Sequence, residues 1–256
     1  MNKKTLIFIP TRNTASTIEK TFTLIPGHIR SEAEFIVVDN ASTDTSVAVA
    51  ENLGLKVIRH ERDRGYGGSN KTAFDYAKTV HADIFVVLHS DCQYDPSIMD
   101  RLLQPIVQGE ADAVFGSRIM GKKALQGGMP WWKYIANRFL SWLENWALSA
   151  HLSEYHSGYR IYSMNILKSI PYHLNSDGWI FDGEIIFQIL NLGFTVKEVP
   201  IPTSYKGPIS SISFSTGVVY GLSVLWLIFK FKLHQWNIIV QKKFAGCGIE
   251  NTLFRK

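Results

Sequence analysis

Residues 83–93 read DIFVVLHSDCQ, a near-continuous apolar run that ends in His89, Ser90 and Asp91. A strand apolar on both faces must be covered on both sides, as in a parallel sheet between helical layers. The chain on either side repeats the theme. TLIFIP (5–10), EFIVVDN (34–40), LKVIRHE (55–61) and DAVFGSR (112–118) read as further strands. Helix-like segments lie between them. One is opened by a Ser16-x-x-Glu19 capping box and runs to Leu24, and one ends near Asn52 before Gly54. Two more cover Ser69–Val80 and Ser97–Gln108. This alternation predicts an α/β fold with a mostly parallel sheet, flanking helices and right-handed crossovers. Ligands of such sheets bind beyond the carboxyl ends of the strands. Those ends carry Pro10-Thr11-Arg12-Asn13, Asp39-Asn40, His60-Glu61, His89-Ser90-Asp91 and Gly116-Ser117-Arg118.

Composition narrows the class. The chain has 256 residues, 46% hydrophobic and 19% charged, which excludes disorder and allows a sizeable core. Lys+Arg 27 against Asp+Glu 22 gives +5 and a pI near 9.1, a mild excess that favours anionic partners. Cys92 and Cys247 are the only cysteines, which excludes a disulfide framework and a multi-cysteine zinc site and predicts a reducing compartment. MNKKTLIFIP imitates a signal peptide, but its apolar run stops at Pro10. No uninterrupted apolar run reaches the roughly 20 residues that comfortably span a bilayer. The expectation is a soluble or peripheral cytoplasmic enzyme. The first strand turns through PTRNTAST without G-x-G-x-x-G, so a nicotinamide or flavin reading is weak, and the P-loop pattern is absent.

Beyond residue 120 the style changes. Gly116 to Pro130 holds four glycines with Lys122 and Lys123, and is expected to be a mobile loop over the cleft. In WWKYIANRFLSWLENWALS (131–149), Trp132, Ile135, Phe139, Leu143 and Trp146 recur at helical spacing, while Lys133, Asn137, Ser141 and Glu144 fall on another face. A helix over Asp182–Leu192 and an uncharged segment, GVVYGLSVLWLIF (217–229), follow. Those thirteen residues make roughly 20 Å of helix, short of a roughly 30 Å hydrocarbon core. The tryptophans beside lysines suit a bilayer interface, so these two helices read as lying on a membrane or as ordinary core.

Each candidate site residue has two readings. Asp91, leaving a buried strand, can hold a divalent metal against a diphosphate with Gln93 adding an oxygen, or can cap the next turn. Asp39 can accept hydrogen bonds from a nucleobase or ribose, or can close an Asx-turn. RGYGGSN (64–70) is either a phosphate-cradling loop or a tight turn. Arg118 and Arg160 suit phosphate, which a guanidinium fork grips well, or are solvated. Asp182 and Glu184 of FDGE are candidate bases, or acids favoured at a helix N-terminus.

Taken together, IFIPTRN, FIVVDNASTDTS, RGYGGSNKTAFDYA, VLHSDCQYDP, VFGSR, HSGYR and EVPIPTSYKG occur in an order that resembles family 2 glycosyltransferases of the GT-A type. The nearest branch is similar to dolichyl- and polyprenyl-phosphate sugar synthases. The resemblance covers residues 5 to about 215 and implies a GT-A-type fold with membrane-proximal C-terminal helices. It divides the chain into a catalytic domain over 1–212, with an acceptor loop at 116–130, and an apolar helical tail over 213–256. Pro10, Thr11, Arg12, Asn13, Asp39 and Asp91 would line the nucleotide sugar. Asp91 and Gln93 match the later positions of a metal-binding D-x-D-x-Q pattern whose first position is His89, implying a Mn²⁺ or Mg²⁺ cofactor. Arg118, Ser157 and Arg160 would meet an acceptor phosphate. The implied partners are a GDP- or UDP-sugar, a polyprenyl phosphate and the cytoplasmic membrane surface, with no nucleic acid.

Two positions depart from the pattern. His89 replaces a hard oxygen ligand with an imidazole, which favours Mn²⁺ over Mg²⁺ if it coordinates at all. Thr14 stands where many relatives carry an acid, which leaves the nucleotide base open. The acceptor decides the remaining chemistry. A hydroxyl acceptor needs a base, for which Glu184 is a candidate. A lipid phosphate arrives already anionic. A nucleotidyltransferase and a catalytically silent membrane module with this fold are the competing readings.

Overall fold

The computed structural model describes residues 3–121, 124–202, 204–205 and 214–246. The sheet strands are β1 (Thr5–Thr11), β2 (Glu34–Asp39), β3 (Lys56–Arg59), β4 (Ile84–Val87), β5 (Ala113–Ser117), β6 (Arg160–Ser163) and β7 (Val196–Pro200). They form one sheet in the order β3-β2-β1-β4-β6-β5-β7. All neighbours pair in parallel except β6, which is antiparallel to both β4 and β5. This reversal matters for the site. Arg160, at the start of β6, sits opposite Val87 and Phe115, so the HSGYR segment reaches the edge where the parallel strands end.

Alternation along the strands splits the core in two. Leu6, Phe8, Ile36, Val38, Phe85 and Val87 face one side, under α4 (Gly65–Thr79), α7 (Met164–Ser169) and α8 (Phe181–Asn191). Ile7, Ile9, Val37, Ile84, Val86 and Leu88 face the other. There they meet α1 (Ile18–Thr23), α2 (Gly27–Glu32), α3 (Ser46–Asn52) and α5 (Met99–Val107). Both interfaces are apolar, each fully buried side chain contributing about 1.5–3 kcal/mol.

Several local expectations need correction. The Ser16–Glu19 capping box does not form. The helix starts at Ile18 with no side-chain cap, because Thr14 O already accepts from the amides of Thr17 and Ile18. The short helix α2 lacked a periodic signal. α4 begins at Gly65, so RGYGGSN is a helix start and not a phosphate loop. Its Gly67 and Gly68 amides are taken by Asp177 O, at 2.7 and 3.4 Å.

The aromatic segment forms α6 (Trp131–Leu148), with inverted polarity. Its polar side, Asn137, Ser141 and Glu144, is buried against the domain. Trp131, Trp142 and Trp146 are 70%, 63% and 58% exposed. The uncharged segment lies within a 22-residue helix, α9 (Phe214–Gln235), about 33 Å long at 1.5 Å per residue. That is longer than expected because the helix continues through Lys230 and Lys232. Among the described residues it is the one helix long and apolar enough to cross a membrane. It runs beside α6, with Phe214 against Trp132 at one end and Lys232 over the Trp146 ring towards the other. The chain then returns to α8: Phe244 is buried against Phe231, and Lys243 pairs with Glu184.

Candidate active site

Two cavities open at the carboxyl edge of the sheet. The first, about 290 Å³, is lined by Pro10, Thr11, Arg12 and Thr14 from the end of β1, and by Asn40, Asp63, Gly65 and Ser90. Asp63 organises it. One of its oxygens accepts from Asn40 Nδ2 (2.6 Å) and Gly65 N (2.7 Å), and the other pairs with Arg12. The Gly65 amide bond, followed by Asn40 and the Arg12 charge, holds its carboxyl below the usual range against the opposing effect of burial.

Asn13 supports this cavity without lining it. It takes a left-handed φ of 54°, donates its amide to Ser42 Oγ and accepts from Thr43 N, tying the turn after β1 to the turn after β2. Asp39 also stands outside the lining, 1% exposed at the end of β2. Its Oδ2 accepts from Ser42 N at 3.3 Å and lies 4.0 Å from Arg59 Nε, while its buried Oδ1 has no partner among the described residues. A buried carboxylate oxygen without a donor is costly, and suits a site completed by a ligand's N–H or O–H.

The second cavity, about 210 Å³, lies between the sheet edge and the inner faces of α6 and α9. Polar groups (Gln93, Arg118, Lys133, His156, Arg160, Asp182) line it together with Met129, Trp132, Leu140 and Tyr220. Arg118 is held rigidly. Its backbone N and Nε each donate to Glu154 at 2.7 Å, Nη2 joins the same carboxylate and reaches His156 O at 2.7 Å, and Nη1 donates to Tyr205 at 2.9 Å. Burial would raise the Glu154 pKa, but the Arg118 charge and hydrogen bonds outweigh it and hold the group down. Arg160 is likewise committed. It donates to the carbonyls of Ser157 (2.8 Å), Tyr155 (2.7 Å) and Asp182 (3.3 Å), and its Nε lies 3.5 Å from Asp182 Oδ2. Lys133 lines the same cavity, its pKa lowered by burial and then by the Arg118 charge.

Tyr66, His89, Asp91 and Trp179 line both cavities. Asp91 is 8% exposed, and its Oδ1 accepts from Gln93 N at 3.0 Å. The His89 ring stacks on Tyr66 at 5.6 Å, and its Nε2 is 3.5 Å from the Tyr66 hydroxyl. Burial lowers the His89 pKa and favours the neutral imidazole. The ring also explains Gly158 of HSGYR, where a Cβ would sit 2.5 Å from His89 Nε2. Among the described residues no three His, Cys, Asp or Glu side chains cluster to hold a metal. An ion here fits only as a shared guest, with Asp91 as the protein's anionic ligand and other oxygens supplied by substrate.

The structure therefore brings together Pro10, Thr11, Arg12, His89, Asp91, Gln93, Arg118 and Arg160. It does not bring Asn13 and Asp39, which stand behind the lining, Ser157, whose hydroxyl donates to Gly116 O, or Glu184. Glu184 is 3% exposed on α8 and faces away. Its oxygens accept from Ser176 N and Lys243 Nζ, both at 2.6 Å. Losing a general base costs about 10²–10⁴-fold, so Glu184→Gln, measured by steady-state turnover, is expected to keep more than about a tenth of the rate. Asp182 is the FDGE acid that faces the cavity, accepting from the Tyr66 hydroxyl at 3.1 Å. Asp63, Tyr66, Lys133, Glu154 and Trp179 were not singled out from the sequence. Only RGYGGSN and the aromatic helix hinted at two of them. Lys122 and Lys123 of the glycine-rich loop lie outside the described residues.

Residues 6–170 match the profile of Glycosyl transferase family 2. The chain belongs to that family. It is a glycosyltransferase. Over 198 residues the enzyme is 30% identical to an uncharacterized protein, MJ1222, of Methanocaldococcus jannaschii, covering 77% of this chain and 80% of that one. It is 25% identical over 249 residues to the UDP-N-acetylglucosamine–dolichyl-phosphate N-acetylglucosaminyltransferase of Methanococcus voltae, covering 91% and 97%. It is 27% identical to the polyprenol monophosphomannose synthase of Mycolicibacterium smegmatis, covering 78% and 77%. In fold it is similar to glucosyl-3-phosphoglycerate synthase of Mycobacterium tuberculosis, crystallised with Mn²⁺, UDP and glucosyl-3-phosphoglycerate. That match has a TM-score of 0.69 at 18% identity over 90% of this chain and 80% of the other. The GT-A architecture that the family resemblance implies is thus the one observed.

Proposed function

We propose that this glycosyltransferase moves a sugar from a nucleoside diphosphate to a polyprenyl phosphate, with inversion at the anomeric carbon. The observation that carries the reading is the second cavity. Arg118 and Lys133 stand in it beside Met129, Trp132 and Leu140, and its walls include the helices whose outer faces are exposed and apolar. That combination suits an acceptor anionic at one end and greasy at the other. The names of the Methanococcus and Mycolicibacterium relatives support the same acceptor class.

The nucleotide takes the first cavity, between the ends of β1 and β2, with Asp39 and Asp63 available to its base and ribose. Charge builds on the departing diphosphate. A bound divalent cation, Mn²⁺ or Mg²⁺ held through Asp91 with Gln93 as a further oxygen, would supply Lewis-acid stabilisation of that charge. His89, stacked on Tyr66 and seated on Gly158, serves as a wall. Arg118, fixed by Glu154, and the adjacent Lys133 draw the acceptor phosphate towards an already anionic donor. Arg160 holds the HSGYR turn and adds positive potential. No side chain need remove a proton, since the second pKa of a phosphate monoester is about 6.

We take 1–212 as the catalytic unit, with 116–130 as its acceptor loop, and 213–256 as an apolar tail whose described part, 214–246, packs on α6 and α8. The exposed faces of α6 and α9 would rest on the cytoplasmic membrane surface, with Lys133, Lys230 and Lys232 near the aromatic rings at headgroup depth. Trp142→Asp and Trp226→Asp are each expected to weaken cosedimentation with anionic lipid vesicles by about tenfold, with unchanged thermal unfolding. The transfer reading is tested by release of nucleoside diphosphate from a nucleotide sugar. It predicts release stimulated by a short polyprenyl phosphate and abolished by EDTA. Release stimulated only by a sugar hydroxyl acceptor would move the acceptor class, and release of inorganic pyrophosphate would make the protein a nucleotidyltransferase.

A further inference from the structure

Trp179 has no part in the chemistry described so far, yet it is one of four residues common to both cavities. It is held in an unusual way. One face of its indole stacks on Tyr66, with ring centroids 5.3 Å apart and planes 14° from parallel, and Tyr66 stacks in turn on His89. The Tyr66 hydroxyl is fixed by Asp182, so the stack cannot slide freely. The outer plate remains 46% exposed. An indole that sought only burial would not be left so open at the mouth of a cleft.

The segment that carries Trp179 is anchored from three directions. Asp177 O accepts the Gly67 amide at 2.7 Å, where Gly67 has no room for a side chain against Ser176. Lys71 Nζ reaches Asp177 Oδ1 at 2.7 Å and also donates to Asn175 O. Glu184 accepts the Ser176 amide and is itself paired with Lys243 from the returning tail. The buried Glu184 that takes no part in the cavity thus has a role. It fixes the loop that presents the ring.

Resting on the sugar-transfer reading above, we propose that the open face of Trp179 is the platform on which the transferred sugar lies, and that it determines which sugars are accepted. The argument is one of shared space. The nucleotide belongs to one cavity and the acceptor to the other, and only the transferred group belongs to both. The junction offers a flat aromatic face beside the Asp91 carboxylate, with Asp182 next to it in the acceptor cavity. A pyranose matches that chemistry, with a flat C–H face for the indole and a hydroxyl for Asp182. The diphosphate reaches the Asp91 side only through its cation, and a prenyl chain would leave Asp182 facing an apolar group.

Equilibrium binding of UDP, GDP, UDP-glucose, UDP-N-acetylglucosamine and GDP-mannose to the full chain with Mn²⁺ tests this. For the nucleotide sugar that the wild type binds, Trp179→Ala is expected to weaken affinity about tenfold, while the matching bare nucleoside diphosphate changes less than about twofold. Trp179→Phe, which restores a flat ring, is expected to recover most of the loss. Retained nucleotide-sugar affinity in Trp179→Ala, or equal losses for sugar and bare nucleotide, overturns the platform and leaves the transfer reading standing. A wild type that binds none of the five compounds overturns both.

Discussion

Asp91→Ala is expected to lower kcat/KM for sugar transfer by about 10²–10³-fold, the usual cost of removing one element of transition-state charge stabilisation. Asp91→Asn is expected to fall nearly as far. Asparagine still offers an oxygen to the Gln93 amide, so the turn survives, but the negative charge that would hold a cation is gone. Both variants should unfold at the wild-type temperature, because among the described residues Asp91 makes a single hydrogen bond, to that amide. Steady-state kinetics across a Mn²⁺ titration checks the point. An asparagine variant with full activity and unchanged metal response would remove the ion from the mechanism.

Glu154→Ala should have the largest effect on stability. Glu154 and Arg118 are 2% and 8% exposed, and the carboxylate also accepts from Asn137 Nδ2 at 2.7 Å. Deleting one partner of a buried pair leaves the other charge uncompensated, at about 3–5 kcal/mol. For a chain of this size that lowers Tm by about 10 °C. The pH dependence follows from the direction of the shift. Glu154 is held below its ordinary range in the folded protein, so its contribution is present above the unfolded value and is lost as pH falls below it. The stability difference between wild type and Glu154→Gln should therefore be flat from neutral pH to about 5 and shrink below about 4. Chemical denaturation at a series of pH values measures it. A difference that grows on acidification would contradict the ionised pair.

Strand ends were legible because buried parallel strands carry an unbroken apolar signal and then stop at polar residues. Pro10 to Arg12, Asp91 and Arg118 could be named from that pattern. Pairs made by distant segments could not. Asp63 earns its place only when β1 and β2 lie side by side and bring Arg12 and Asn40 to it, and Glu154 only when it closes on Arg118. β6 was hidden because an antiparallel insertion leaves no mark on the strand–helix rhythm. In α6 periodicity separates the two faces but does not say which one turns inward. Here Asn137, Ser141 and Glu144 do: Asn137 lines the polar cavity and donates to Glu154, Ser141 Oγ donates to Asn137, and Glu144 lies 3.1 Å from His156. Glu184 lies away from the cavity for a related reason. Two residues along a helix is a rotation of about 200°, so Asp182 and Glu184 cannot face the same way.

Incubating the protein with membranes and a panel of radiolabelled nucleotide sugars, then partitioning the products between water and organic solvent, joins donor and acceptor in one readout. Label should pass into the organic phase with one donor, and should stay in water when Asp91→Ala replaces the wild type. Label confined to the aqueous phase with every donor, although the nucleotide sugar is consumed, would contradict a lipid phosphate as acceptor.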